Sequence, residues 1–148
     1  MKPRELVNFI RESNRIERIT REPTLNEIEA HATILRLGTM GIGALCKFVN
    51  VVAHGAKLRD KDGMNVRVGL HIPPFGGPHV QTTLQNILDR IHAGRLSAYA
   101  AHVEYERLHP FTDGNGRSGR ALWLWQHNGN APLGFLHTFY YEALRATP

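Results

Sequence analysis

Between His109 and Arg120 the chain reads HPFTDGNGRSGR, and this stretch holds groups that could move a proton, bind a cation and cradle an anion. Gly114, Asn115 and Gly116, running into a helix, would gather backbone N–H groups at the positive end of a helix dipole, a natural anion seat. Arg117 and Arg120 lie three residues apart and so project from nearly the same helical face. Cations in a helix's first turn oppose its dipole at a cost of a few tenths of a kcal/mol, and a polyphosphate clamped between the two guanidiniums would reverse that sign. Pairing with Glu104 or Glu106 on the preceding helix is the competing explanation for either arginine alone. Asp113 could cap the helix, or hold Mg²⁺ in the manner of sites that use one carboxylate plus phosphate oxygens. His109, one of nine histidines, has an ordinary structural role as its alternative; beside a phosphate and a metal it could take the proton from an attacking hydroxyl.

These groups need elements to position them. Asp-Gly and Asn-Gly are hairpin signals, but both flanks carry a helical period, so the stretch reads as a helix-loop-helix junction in which Pro110 ends one helix and Phe111 buries its ring. The helix before it spans Leu96 to Leu108, with Ala98, Ala101, Tyr105 and Leu108 on one face. The helix after it spans Gly116 to His127, and a last one, Phe135 to Arg145, follows the turn signals from Asn128 to Pro132.

Upstream, Leu6, Phe9, Ile10, Ile16 and Ile19 fall near a 3.6-residue period that stops by Pro23. Thr24 with Glu27 makes a capping box that opens a helix through Ile28, Ile34 and Leu37. Ile42 to Leu58 is apolar nearly all round and predicts a central buried helix, and Pro78 to His92 predicts another. The pattern breaks at Asp62-Gly63. From Asn65 to Ile72, NVRVGLHI places Val66, Val68, Leu70 and Ile72 in alternation, which predicts a short strand closed by Pro73 and Pro74, or a small hairpin with Gly69 at its tip. The sum is a mainly α bundle with one short β excursion.

With 148 residues, 42% of them apolar, the chain is sized for one domain, residues 1–148. Its single cysteine, Cys46, excludes a disulfide framework and predicts a small core side chain in a reducing compartment. No stretch reaches eighteen uncharged apolar residues, and the amino end lacks an apolar signal core, so a soluble, cytoplasmic protein without a membrane partner is expected. The formal charge of +5 suits an anionic ligand or a nucleic acid. The basic residues are scattered, however, and no nucleic-acid motif accompanies them, so a nucleic-acid partner ranks low.

His-Pro-Phe, one residue, Asp-Gly-Asn-Gly-Arg, two residues, Arg: this resembles the signature of the Fic family. NVRVGLHIPP resembles the family's flap, here residues 64–75, and AHVEYERLHPF repeats its habit of placing a histidine, His102, seven residues before the one at 109. The resemblance implies a Fic-type helical bundle with a short β-hairpin flap, and protein adenylylation: transfer of AMP from ATP, with Mg²⁺, to a Ser, Thr or Tyr hydroxyl of a target protein. In that scheme residues 109–120 form the catalytic loop and helix start. His109 is the base, Asp113 holds Mg²⁺, and Gly114, Asn115, Gly116, Arg117 and Arg120 bind the phosphates. Val68, Gly69, Leu70 and His71 border the nucleotide while the flap aligns the target by main-chain pairing.

SNRIER resembles the family's inhibitory helix, so residues 1–22 would form an inhibitory segment in which Ser13 and Glu17 act, with Glu17 paired to Arg120. The family's motif has Gly or Asn after the glutamate; here Arg18 stands there. Removal of AMP from a modified target at the same site, with Glu17 activating water, is the rival activity, alone or combined with transfer. An idle nucleotide- or peptide-binding module is the rival from another class. Self-modification and a homodimer fit the resemblance, and Tyr140 and Tyr141 are candidate neighbours of an adenine ring.

Overall fold

The fold is built from six helices in the computed structural model, which describes residues 1–130. Helix α1, Pro3–Ile16, starts on a proline at N1, where a missing N–H costs nothing, and turns Leu6, Phe9 and Ile10 inward together with Ser13 and Asn14. It ends before Ile19, because the chain at Glu17 and Arg18 turns off the helical path. Thr24 caps α2, Leu25–Leu35, through the expected reciprocal pair: Glu27 N donates to Thr24 Oγ1 at 3.1 Å, and Thr24 N to Glu27 Oε1 at 2.8 Å. Helix α2 stops two residues short of Leu37, whose N–H closes a tight turn on Ile34 O.

Helix α3, Ile42–Val52, corrects the expected span to Leu58. Ala53 leaves helical space, and residues 57–59 bond to 110–112 instead of to the preceding turn. Nor is α3 buried all round. Leu45, Phe48, Val49 and Val52 face the core, while Val51 is exposed; Cys46 is half-buried at the core's edge. Helices α4, Pro78–His92, and α5, Ala98–Leu108, follow, the latter capped by Ser97 Oγ accepting from Ala100 N at 3.1 Å. Helix α6, Asn115–Gln126, packs along α5 and touches α1, α2 and α3. Its inward residues link the two parts of the core: Leu122 joins Phe48, Leu84 and Tyr105, while Leu124 joins Phe9 and Ile10.

Residues 64–75 form no strand. Their sole β feature is a bridge between Val68 and His71, which exchange N–H···O bonds of 3.0 and 2.9 Å across a turn at Gly69 and Leu70. The alternating pattern meets no second strand to pair with, so Leu70 at 96%, Ile72 at 62% and Phe75 at 69% exposure stand in solvent. Among the described residues no helix is long and apolar enough to cross a membrane. The last expected helix, 135–145, with Tyr140 and Tyr141, lies outside the described residues.

Candidate active site

The loop between α5 and α6 is fixed by its own backbone before any side chain acts. Arg59 N donates to Pro110 O at 2.8 Å and Thr112 N to Lys57 O at 2.9 Å, a two-rung ladder that ties it to the segment after α3. Phe111 is fully buried, as expected. Asn115 spans the loop twice, accepting from Phe111 N and donating to Phe111 O, each at 2.8 Å. Its side chain is therefore spent on the loop, and only its backbone is left for a ligand. Gly114 sits at φ 76°, and a Cβ there would meet the Ala53 Cβ at 3.0 Å, so the turn into α6 requires glycine twice over.

His109 ends α5 in the left-handed region, φ 50° and ψ 63°. Its Nδ1 lies 3.0 Å from Glu106 O. A carbonyl only accepts, so Nδ1 carries the proton and Nε2 keeps the lone pair. Burial pulls the imidazole below its ordinary pKa, opposed by the bond to Glu106 O and aided by the charges of Arg59 and His71. The ring is thus a neutral base at physiological pH. Below it Glu106 is buried with Oε2 4.0 Å from His109 Nδ1. Burial pushes this carboxyl up to about 8, with Arg120 pulling the other way.

The two arginines do not converge. Arg117 turns back, donates from Nη1 to Val52 O at the end of α3, and is buried there; Asp113 Oδ1 is 4.0 Å from its Nη2. This corrects the picture of two guanidiniums side by side, because the open carbonyls at a helix end attract a cation as a phosphate would. Neither arginine pairs with Glu104, which binds Arg90 at 2.5 Å. Arg120 is fully buried under α1: Nε donates to Ser13 Oγ at 2.9 Å, Nη2 to Ser13 O at 3.0 Å and to Glu17 Oε1 at 2.9 Å. The Glu17 carboxylate also touches the Cα side of Gly116, where a Cβ would collide with Oε1. A carboxylate thus lies against Gly116 in the first turn of α6, paired with Arg120.

These groups surround a cleft of about 230 Å³ lined by His109, Thr112, Asp113, Gly114, Asn115 and Gly116 from the loop, Glu17 from the end of α1, and Val66, Arg67 and Val68 from the opposite side. Val68 lies where the sequence placed it. Gly69 and Leu70 do not line the cleft, and His71 turns to α5, its Nε2 3.0 Å from Arg107 O. Val66, Arg67 and Thr112 were missed; only their nearness to the motif and the flap could have flagged them. Asp113, 74% exposed along its side chain, receives one bond, from Gly114 N at 2.7 Å. An exposed carboxylate beside a backbone nest fits a magnesium held by one protein group and two phosphates, and three or more clustered ligands are absent among the described residues. Arg59, also missed, is buried against the carbonyls of Leu108 and His109.

The chain matches the Fic/DOC family over residues 28–126. That span holds the cleft's loop and the 64–75 segment and leaves α1 outside. No curated protein matches the chain.

Proposed function

From the chain's membership of the Fic/DOC family, we propose that it is a protein adenylyltransferase held in check by its own α1. What supports this reading is the meeting, in one cleft, of an imidazole with its lone pair free, an exposed carboxylate and a glycine-lined helix start. ATP would lay its phosphates along Gly114 to Gly116, whose N–H groups stabilise negative charge as it develops. Asp113 would hold Mg²⁺, whose charge would offset that of the phosphates. A Ser, Thr or Tyr hydroxyl of the target would attack the α-phosphorus, the bond to the β-phosphate oxygen would break, and pyrophosphate would leave. His109 Nε2 takes the hydroxyl proton, a contribution of roughly 10²- to 10⁴-fold.

In this scheme the 64–75 flap docks the target, and Ser13 and Glu17 occupy Arg120, so the γ-phosphate finds neither its cation nor its place at Gly116. Arg117, engaged with Val52 O, supports the end of α3 rather than a phosphate. Glu17 lines the same cleft as His109, which favours a second activity, hydrolytic removal of AMP from a modified target. Self-modification and a homodimer remain compatible with both activities.

Incubation with α-labelled ATP and Mg²⁺ tests the reading. Weak self-labelling is expected of the wild type, stronger labelling of Glu17→Gly, and none of Glu17→Gly/His109→Ala. No labelling of Glu17→Gly would leave a binding module, and equal labelling of it and the wild type would remove α1 as inhibitor.

A further inference from the structure

Arg59, like Arg120, is wholly removed from solvent, and among the described residues its guanidinium donates to main-chain carbonyls alone. Nε donates to His109 O at 2.6 Å and Nη2 to Leu108 O at 2.7 Å, forking across the last two carbonyls of α5. Nη1 donates to Met64 O at 3.0 Å and to Pro74 O at 2.9 Å, the two ends of the exposed 64–75 segment. Its backbone works in the same direction, with N–H to Pro110 O at 2.8 Å and carbonyl from Gly77 N at 3.0 Å. No ion pair within hydrogen-bonding reach joins it to a carboxylate among the described residues.

A buried, unpaired cation is costly in a fold. The negative end of the α5 dipole offsets part of that cost, and burial pulls the guanidinium below its ordinary pKa. A Leu or Met would fill the space without the charge but would leave these carbonyls without a donor. The planar fork does something no apolar residue can: it donates from one rigid group to two pairs of carbonyls at once. One pair is Leu108 O and His109 O, the second from the residue that bears the imidazole, whose left-handed backbone needs outside support. The other closes the base of the flap.

We propose that Arg59 is the positioning residue that sets the flap against His109, so that a chain docked on residues 64–75 presents its hydroxyl to Nε2. This rests on the adenylyl-transfer reading. Arg59 does not itself line the cleft and bonds to none of Asp113 to Gly116, so the inference separates alignment of the target from binding of the nucleotide. A misplacement of about 1 Å between reacting groups can cost on the order of 10²-fold in rate.

The test uses Glu17→Gly as parent and adds Arg59→Lys, which keeps a cation but loses the fork. Three quantities are read: the Kd of Mg·ATP by calorimetry, kcat and KM for self-labelling, and amide hydrogen exchange across the molecule. The expected result is a Kd and KM within about threefold of the parent, kcat lower by at least tenfold, and faster exchange confined to residues 64–77 and 107–110. Unchanged kcat, unchanged exchange in the flap, or parallel loss of nucleotide binding and transfer overturns the inference. Asn65→Ala is the milder companion, should Arg59→Lys fail to fold. It removes the Asn65 Oδ1 bond from Gly76 N, 3.0 Å, at the same flap base, and must lower kcat with Kd kept, or the inference falls. If the parent itself does not label, adenylyl transfer fails, while the exchange measurement still decides whether Arg59 holds the flap to His109.

Discussion

Arg18→Gly is expected to tighten the hold of α1 on the cleft. Helix α1 ends in the double-bonded turn that usually carries glycine at its left-handed position: Ile19 N donates to Asn14 O at 3.0 Å and Arg18 N to Arg15 O at 2.9 Å. Arg18 fills that position at φ 61°. The left-handed conformation costs a side-chain-bearing residue about 1–2 kcal/mol, and glycine's freedom in the unfolded chain takes back about 0.5–1 kcal/mol. The net gain is about 0.5–1 kcal/mol, which lies on the residue next to Glu17 and shifts a docked-to-released equilibrium of α1 by about two- to fivefold. Self-labelling of Arg18→Gly should fall by that factor relative to wild type, with the melting temperature up by about 1–4 °C. In the Glu17→Gly background the same substitution should leave labelling unchanged, since the carboxylate it steadies is gone. Faster labelling or a lower melting temperature for Arg18→Gly would refute the strain argument.

Two further outcomes follow from the titrating groups. The transfer rate of Glu17→Gly should keep its plateau below pH 6.5 and lose it only at lower pH. Burial holds His109 under its ordinary value of 6.5, and removing Glu17 takes away a negative charge that raises it; an acid limb centred above 6.5 contradicts this. Stability should rise as pH goes from about 4.5 to 6.5 in denaturant melts. His31 and His102 are each lowered by burial to about 4 from 6.5, so the unfolded chain binds more protons there and stability is lost as pH falls through the window. Glu106, raised by burial to about 8 from 4.5, acts in the opposite sense, its stabilisation fading as pH climbs toward 8. Two imidazoles outweigh one carboxyl, so a stability that falls across that window contradicts the assignment; His31→Leu should flatten the slope.

Much of the fold was legible wherever the signal was local. The Thr24–Glu27 capping box, the start of α4 at Pro78, and the buried Phe111 each depend on neighbours within a few residues. Position 18, where Arg stands, is left-handed, a conformation that favours Gly or Asn. Illegible were features decided across the fold. Helix α3 ends at Val52 because residues 57–59 find partners at 110–112, and no periodicity in Ile42 to Leu58 reports a ladder that distant. Alternation at 65–72 marks side-chain facing, and without a second strand it yields a turn. Spacing put Arg117 and Arg120 on one face, yet the acceptors at hand were Val52 O for one and Ser13 with Glu17 for the other. Arg59 gave no signal, since its partners are carbonyls, which every residue carries.

The central claim is that the start of α6 receives a triphosphate once Glu17 is out of the way. Titrating ¹⁵N-labelled Glu17→Gly with Mg·ATP, and following the backbone amides of Gly114, Asn115 and Gly116, tests it most directly. The account predicts the largest shifts at those amides and at Asp113, with the same titration of the wild type giving much weaker changes. Shifts that leave residues 113–116 unmoved, or that cluster elsewhere in the molecule, would contradict it.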